Sequence, residues 1–509
     1  MIKSRRNFIK ITSMAGLGVG LTPSFAMKKA PKTLTSKEFT SAIQIAPFNF
    51  LDEGIEPVLD ILKNQAAIDT MMVYSHTYYG IPYTRTANVL ANDHGIVQRD
   101  DKDRHFNPVW VKHDKKNFKD TSLWFNEPDS AAEHAGHDIF NELVKPAKER
   151  GIKIYARLLE PGRLDVDGRI ANYEKVTSVD IFGELRNEPC RNNPDYKAFM
   201  KAMVTDLFSN YELDGYQWGS ERSGPLAEVL YRAGKPGCFC DHCLNRAKKQ
   251  GINADKAKTG FDELYNTVLK TIHGNSVPAS GVLNHIFHLF IKYPEILAWE
   301  NLWHQSLNDL YAMIYTTIKS IKPEAKVGRH FASNMTTLNP IDRAATDYAT
   351  IAKHTDFIKP ILYQDVMASR ISDSFLGAWR KGTLKGISEE GALELLRVFN
   401  GYSEDVLPPA EKLKESSLSA EYVYHETKRI VKMVEGKAEV FPGLGVNVPH
   451  REGKKFIRTP DSPERIYNSI IKSFEAGATG VVASREYDEM LLPSLKAFGD
   501  GVTEVKKRL

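Results

Sequence analysis

The stretch Tyr216-Gln217-Trp218-Gly219-Ser220-Glu221 is an apolar run that follows Asp214-Gly215 and ends on a carboxylate. A glutamate there, beside Tyr216 and Trp218, is a candidate proton donor, because an apolar wall lifts a carboxyl towards the working range of a general acid. Cleavage of a glycosidic bond uses such a group together with a second carboxyl, about 5 Å away for retention and about 6.5–9.5 Å away for inversion. Three others end similar runs: Asp365 in "KPILYQD", Glu486 in "SREYDEM" and Glu160 in "YARLLEPG". Asp365 and Glu486 are the leading partners and Glu160 a rival; for each the competing reading is a salt bridge at a rim. For Glu221 that reading is an ion pair with Arg157 or Arg222. Asn187-Glu188-Pro189 imitates a catalytic tripeptide, but it precedes a helical pattern and is set aside.

Sugar faces stack on aromatic rings, and their hydroxyls bond to charged and amide groups. His76, Tyr78, Tyr79, Arg157, Glu160, Trp218, Arg329, His330, Tyr363, Asn447 and Arg485 all fall near the ends of short apolar runs, and together they suggest a polar, aromatic, partly cationic substrate site. The segment 92–120 carries a basic surplus and Trp110, compatible with an acidic glycan or with a solvated loop.

The four cysteines are Cys190, Cys238, Cys240 and Cys243, three of them spaced C-x-C-x-x-C. Four thiolates with a tight pair meet the demand of tetrahedral zinc, and a site filled by sulfur is structural. Two disulfides are the alternative in an oxidising compartment. His242, inside the cluster, is read as a solvent-exposed neighbour.

The elements that must hold these residues are eight short buried runs: 41–50, 69–76, 152–160, 213–221, 326–333, 356–365, 439–447 and 480–487. Helical patterns separate them. Eight strands alternating with helices predict an α/β fold, a (β/α)₈ TIM barrel, whose active site lies where the strands end. No G-x-G-x-x-G follows the first run, which removes the support for a dinucleotide-binding sheet. Long insertions are expected after strands two, four and six, at about 79–130, 222–322 and 366–418, walling a pocket and suggesting action on chain ends.

Residues 1–26 form a charged start, an apolar run and a small-residue end at Ala26, the pattern of an export signal, leaving 27–509 for the barrel. Ser4-Arg5-Arg6-Asn7-Phe8-Ile9-Lys10 matches the twin-arginine address and implies a periplasmic or secreted protein. With 68 basic and 64 acidic residues, and four of the basic ones in the leader, the remainder is near neutral. That composition points away from nucleic acid and anionic membranes, and no run reaches the ~20 apolar residues of a membrane span. A carbohydrate is the partner expected; self-association into a homo-oligomer is left open.

The segment from Gly183 to Cys243, about an eighth of the chain, resembles the centre of the family 42 β-galactosidases and of related uncharacterised bacterial glycosyl hydrolases. In that likeness Cys190, Cys238, Cys240 and Cys243 match zinc ligands. Asn193-Pro194 and Tyr196 match an N-P-x-Y element, Tyr216-Gln217 a W-Q pair and Glu221 the acid/base glutamate. The resemblance implies a zinc-stabilised barrel that hydrolyses glycosidic bonds. Two positions depart from it. Ser220 stands where the family has asparagine, and strand seven, "FPGLGVNVPH", carries no carboxylate for the family's nucleophile. Two further readings are kept beside an exported, galactosidase-like hydrolase: an inactive carbohydrate-binding barrel, and a metal-dependent hydrolase, for which no H-x-H or H-E-x-x-H motif speaks.

Overall fold

Each of the eight predicted runs forms a strand. They are β1 (Thr40–Ile45), β2 (Thr70–Tyr74), β3 (Lys153–Leu159), β4 (Gly215–Ser220), β5 (Lys326–Phe331) and β6 (Phe357–Pro360). The last two are β7, in the pieces Glu439–Val440 and Gly443–Gly445, and β8 (Gly480–Ser484). The computed structural model describes residues 38–77, 86–105, 109–126, 130–160, 170–274, 277–413, 417–452, 455–458 and 462–509. The predicted export signal, Tyr78 and Tyr79 lie outside the described residues.

All barrel pairings are parallel: β1 lies between β8 and β2, and the order runs on through β3, β4, β5 and β6. The ring closes through β7. Its first piece pairs with β6 and its second with β8, and a bridge from Ile361 to Gly443 spans the interruption. The interruption is Phe441-Pro442; proline has no N–H to give the ladder, yet its carbonyl still accepts from Val482 N at 2.9 Å. This is the (β/α)₈ barrel expected.

Side chains alternate along each strand, so one parity fills the barrel and the other faces the helices. Ala42, Met72, Tyr155, Phe357, Phe441 and Val482 pack together as an apolar floor. Two residues further along their strands stand Gln44, Tyr74, Arg157, Lys359, Gly443 and Ser484, and β4 and β5 add Gln217 and His330. The interior thus changes from hydrocarbon to polar groups towards the strand ends. Glycines on β4, β5 and β7 make room: a Cβ at Gly328 would strike the Phe357 ring, one at Gly219 would strike His330, and one at Gly443 would strike Lys359 and Ser484.

The segment after β4 carries helices Pro225–Arg232, Asp241–Lys249, Ala254–His273 and Val282–Lys292 before the long helix Glu295–Ile321 returns to β5. An excursion not expected from the sequence follows β3. It holds the hairpin Thr177–Val179 with Leu185–Pro189 and ends at helix Pro194–Asn210, whose Asn193 cap accepts from Asp195 N. Asn187-Glu188-Pro189 lies in that hairpin, outside the barrel ring. Among the described residues no helix is long and apolar enough to cross a membrane.

Candidate active site

Glu221 is the first residue beyond β4, and half of its side-chain surface (52%) faces solvent at the barrel mouth. Its Oε1 lies 3.3 Å from Nε2 of His330, an inward residue of β5 with no exposed surface on its side chain. Burial works to raise the Glu221 carboxyl, but the bond from His330 and the cations Arg370 and Arg157 outweigh it and hold the group at about 2. The expectation of a raised, acid-poised glutamate is therefore corrected. Trp218 does not supply the apolar wall that reading relied on: it has the outward parity and packs edge-on against Tyr311 of helix Glu295–Ile321, ring centroids 4.3 Å apart. His330 in turn is pushed down to about 3, by burial and by Lys359. A neutral imidazole donating from Nε2–H to an ionised carboxylate satisfies both shifts.

Around this pair the polar layer is rich in cations. The Arg157 guanidinium sits 4.1 Å from the centre of the Tyr74 ring. The amine of Lys359, fully buried, lies 3.4 Å from the Tyr363 hydroxyl, and burial together with Arg157 drives it well below the usual lysine range. Arg370 lies 5.1 Å from the centre of the same Tyr363 ring and donates to Ser333 Oγ at 3.3 Å. Lys359 and Arg370 were not singled out from sequence. For Lys359 the signal was there, a lysine inside the buried run "FIKPIL"; Arg370 sits in a helix of the β6 insertion with nothing local to mark it.

The two leading carboxylates differ. Glu486, just past β8 and partly exposed, accepts from the Tyr74 hydroxyl at 3.0 Å. Glu221 and Glu486 both act electrostatically against the lowering of Lys359. Asp365 is buried and accepts from Val448 N at 2.8 Å. A Cβ at Gly445 would collide with its carboxylate, so Asp365 of the β6 exit takes the room a β7 side chain would occupy. Arg485 directly follows β8 with positive φ (93°) and reaches Pro449 O and, at 3.5 Å, Glu489.

The other predicted contacts go elsewhere. Arg329 has the outward parity on β5, donates to Asn308 at 2.7 Å and lies over the Tyr311 ring, so it belongs to the helix layer, not the mouth. Glu160 is buried in a salt bridge with Arg191 (2.5 Å) and Arg222 (3.6 Å); burial raises its carboxyl, and the two arginines overcome this to hold it at about 2. It tethers β3 to the cysteine loop, and the catalytic and substrate readings give way to the structural one. Asn447 accepts from Leu491 N at 2.9 Å and pins the β7 exit to the β8 exit. His76 is buried against His113, Nε2 to Nε2 at 2.9 Å, with His113 on Asp206 at 2.6 Å. That places it inside a packed histidine stack with Phe125.

The four cysteines meet. Their sulfurs lie within 4.8 Å of one another and all four are free thiols, with Cys190 Sγ 3.4 Å from Cys240 and 3.6 Å from Cys243. Ligands at 2.3 Å around a tetrahedral ion stand about 3.8 Å apart, so the spacing suits a metal. Backbone N–H of Val179 and the Asn192 amide point at Cys238 and Cys243 sulfurs at 3.4 and 3.3 Å, contacts that favour thiolate.

Among solved structures the chain is similar to the PgaB (BpsB) glycoside hydrolase domain from Bordetella bronchiseptica, at 11% identity over 92% of this chain and 98% of that one, TM-score 0.43. It is similar to the β-galactosidase of the psychrophilic Marinomonas ef1, at 9% identity over 92% and 59% of the two chains, TM-score 0.49. The β-galactosidase of the Antarctic haloarchaeon Halorubrum lacusprofundi gives 12% identity over 92% and 58%, TM-score 0.48. The chain spans about three-fifths of the length of those two β-galactosidases. No protein-family model matches the sequence, and no curated protein matches it. The fold rests on the closed strand ring, and the functional reading on the residues at its mouth.

Proposed function

We propose that the protein is a glycoside hydrolase working at the C-terminal mouth of the barrel, with Glu221 as its essential carboxylate. The observation that carries this is a pair of carboxyls just past the strand ends of one barrel: solvent-facing Glu221, bonded to the inward His330, and Glu486, bonded to the inward Tyr74 whose ring lies under Arg157. Glycosidic cleavage needs two carboxyl groups in different protonation states. Glu221, held anionic by His330 and the arginines, suits the nucleophile or the base that activates water. Glu486, bonded to Tyr74, is the candidate donor of a proton to the leaving oxygen. Asp365, sequestered on Val448 N, shapes the β7 exit. Tyr363 with Arg370 offers a ring and a guanidinium to a sugar.

The four-cysteine cluster is read as a structural zinc site: Cys190, Cys238, Cys240 and Cys243 fill a tetrahedral shell and leave no protein-free position for chemistry. Galactosidase-like, chain-end action on an oligo- or polysaccharide and twin-arginine export to the periplasm or beyond are parts of the same proposal, supported by the resemblance, the insertions and the leader. A second reading, a binding barrel without activity, is favoured by one feature. Gly443 and Gly445 give β7 no interior carboxylate, the place where the family it resembles keeps its nucleophile. Reducing-sugar release from a panel of oligosaccharides separates the two, with glycan binding measured in parallel.

A further inference from the structure

Behind the loop that carries Glu221, three ionisable residues from two distant segments meet out of reach of solvent. Glu300 and His304 are one turn apart on helix Glu295–Ile321 and so share a face. Asp342 comes from the short helix Pro340–Ala344 after β5. All three are buried, and one ligand atom of each lies within 4.8 Å of the others. Glu300 Oε1 is 3.0 Å from His304 Nε2, and its Oε2 accepts from Leu226 N at 2.7 Å. Asp342 Oδ2 accepts from Ser223 Oγ at 2.8 Å, while Asp342 Oδ1, fully buried, has no hydrogen-bond partner among the described residues. Gly224 presses on the Glu300 carboxylate so closely that a Cβ there would overlap it.

Two carboxylates this close in a desolvated site repel each other, and a single imidazole can offset only one of them. Among the described residues no lysine or arginine forms an ion pair with any of the three. The charge deficit, the orphaned oxygen and the nitrogen-plus-oxygen donor set all point to the same missing partner. We infer that Glu300, His304 and Asp342 bind one divalent transition-metal cation of the zinc or manganese class, tying the loop after β4 to the long helix and to the loop after β5. An imidazole with two carboxylates suits such ions, whereas calcium takes oxygen ligands alone. Because Ser223 and Gly224 follow Glu221 by two and three residues, the ion would act as a positioning device for the loop that carries Glu221. The inference does not depend on the sugar chemistry proposed above.

The test is elemental analysis of the folded full-length protein after dialysis, alone and reconstituted with Zn²⁺ or Mn²⁺. His304→Ala and Asp342→Asn should each hold one equivalent less than the parent, and Cys190→Ser should lose a different equivalent. In Co²⁺-loaded protein, the thiolate charge-transfer band should survive in H304A, while the d–d intensity of a nitrogen–oxygen site disappears. For variants that do not fold, Mn²⁺-loaded wild type should show nitrogen hyperfine coupling from a single imidazole in pulsed EPR. A folded wild type that takes up no metal beyond its cysteines, or binds Mn²⁺ without nitrogen coupling, overturns the inference.

Discussion

His330 Nε2 stands 3.3 Å from Glu221 Oε1, the imidazole wholly enclosed and the carboxylate half open to solvent. Burial and Lys359 hold the imidazole at about 3, against an ordinary 6.5, so it is neutral in the fold at neutral pH. As pH falls from 6.5 towards 3 the unfolded chain takes up this proton and the native one does not, so stability declines through that window. Urea midpoints measured across it should fall, and His330→Gln should flatten the decline. A slope unchanged by the substitution would mean that His330 titrates normally.

Glu221 adds to the same acid limb at lower pH. Its carboxyl, held at about 2 by His330, Arg370 and Arg157 against the lift of burial, contributes stability that is full above its ordinary 4.5 and is lost as pH falls through about 2. With Glu221 needed as an anion, activity should therefore persist below pH 4.5. His330→Ala should move the acid limb of kcat/KM upwards without abolishing the fold.

Glu160 tests the structural reading of a residue the sequence offered as catalytic. Glu160→Gln leaves Arg191 and Arg222 without their buried counter-charge, which costs about 3–5 kcal/mol. Chemical denaturation should show that loss, and at temperatures where the variant is folded its kcat should stay near that of wild type.

Gly445→Ala should drive the Asp365 carboxylate off Val448 N, a loss of about 1–3 kcal/mol of the kind overpacking produces. Gly443→Ala meets the flexible tip of Lys359 instead and should cost less. Equal losses would contradict the assignment of Asp365 as the filler of the β7 exit.

On the proposed zinc reading of the four sulfurs, Cys190→Ser should release one metal ion and lower thermal stability, because the ion's binding energy is folding energy. Retention of a full equivalent of zinc on the remaining thiols, with an unchanged melting temperature, would remove zinc from the account of this loop.

The ring of strands was legible because parallel barrel strands are buried on both faces and appear as short apolar runs bounded by turns. That same property hides parity. Trp218 and Arg329 end apolar runs as convincingly as Gln217 and His330 do, yet one residue of register sends them to the helix layer, where Tyr311 receives both. The cysteine cluster was legible because three ligands are close in sequence. Glu300, His304 and Asp342 were not: the i, i+4 pair lies on an ordinary amphipathic helix, and only the fold brings Asp342 to it. The pKa of Glu221 was misjudged because its neighbours Arg370 and His330 come from other strands and loops.

The central claim is that this barrel cuts glycosidic bonds with Glu221. It is tested most directly by sugar release from a panel of oligosaccharides and plant and marine polysaccharides, comparing wild type with Glu221→Gln and Glu486→Gln at matched fold. The account predicts release by wild type and a loss of at least about a thousandfold in kcat with Glu221→Gln, of the order expected for an essential catalytic group. Equal release by wild type and Glu221→Gln, or glycan binding with no release by any of the three, would contradict it.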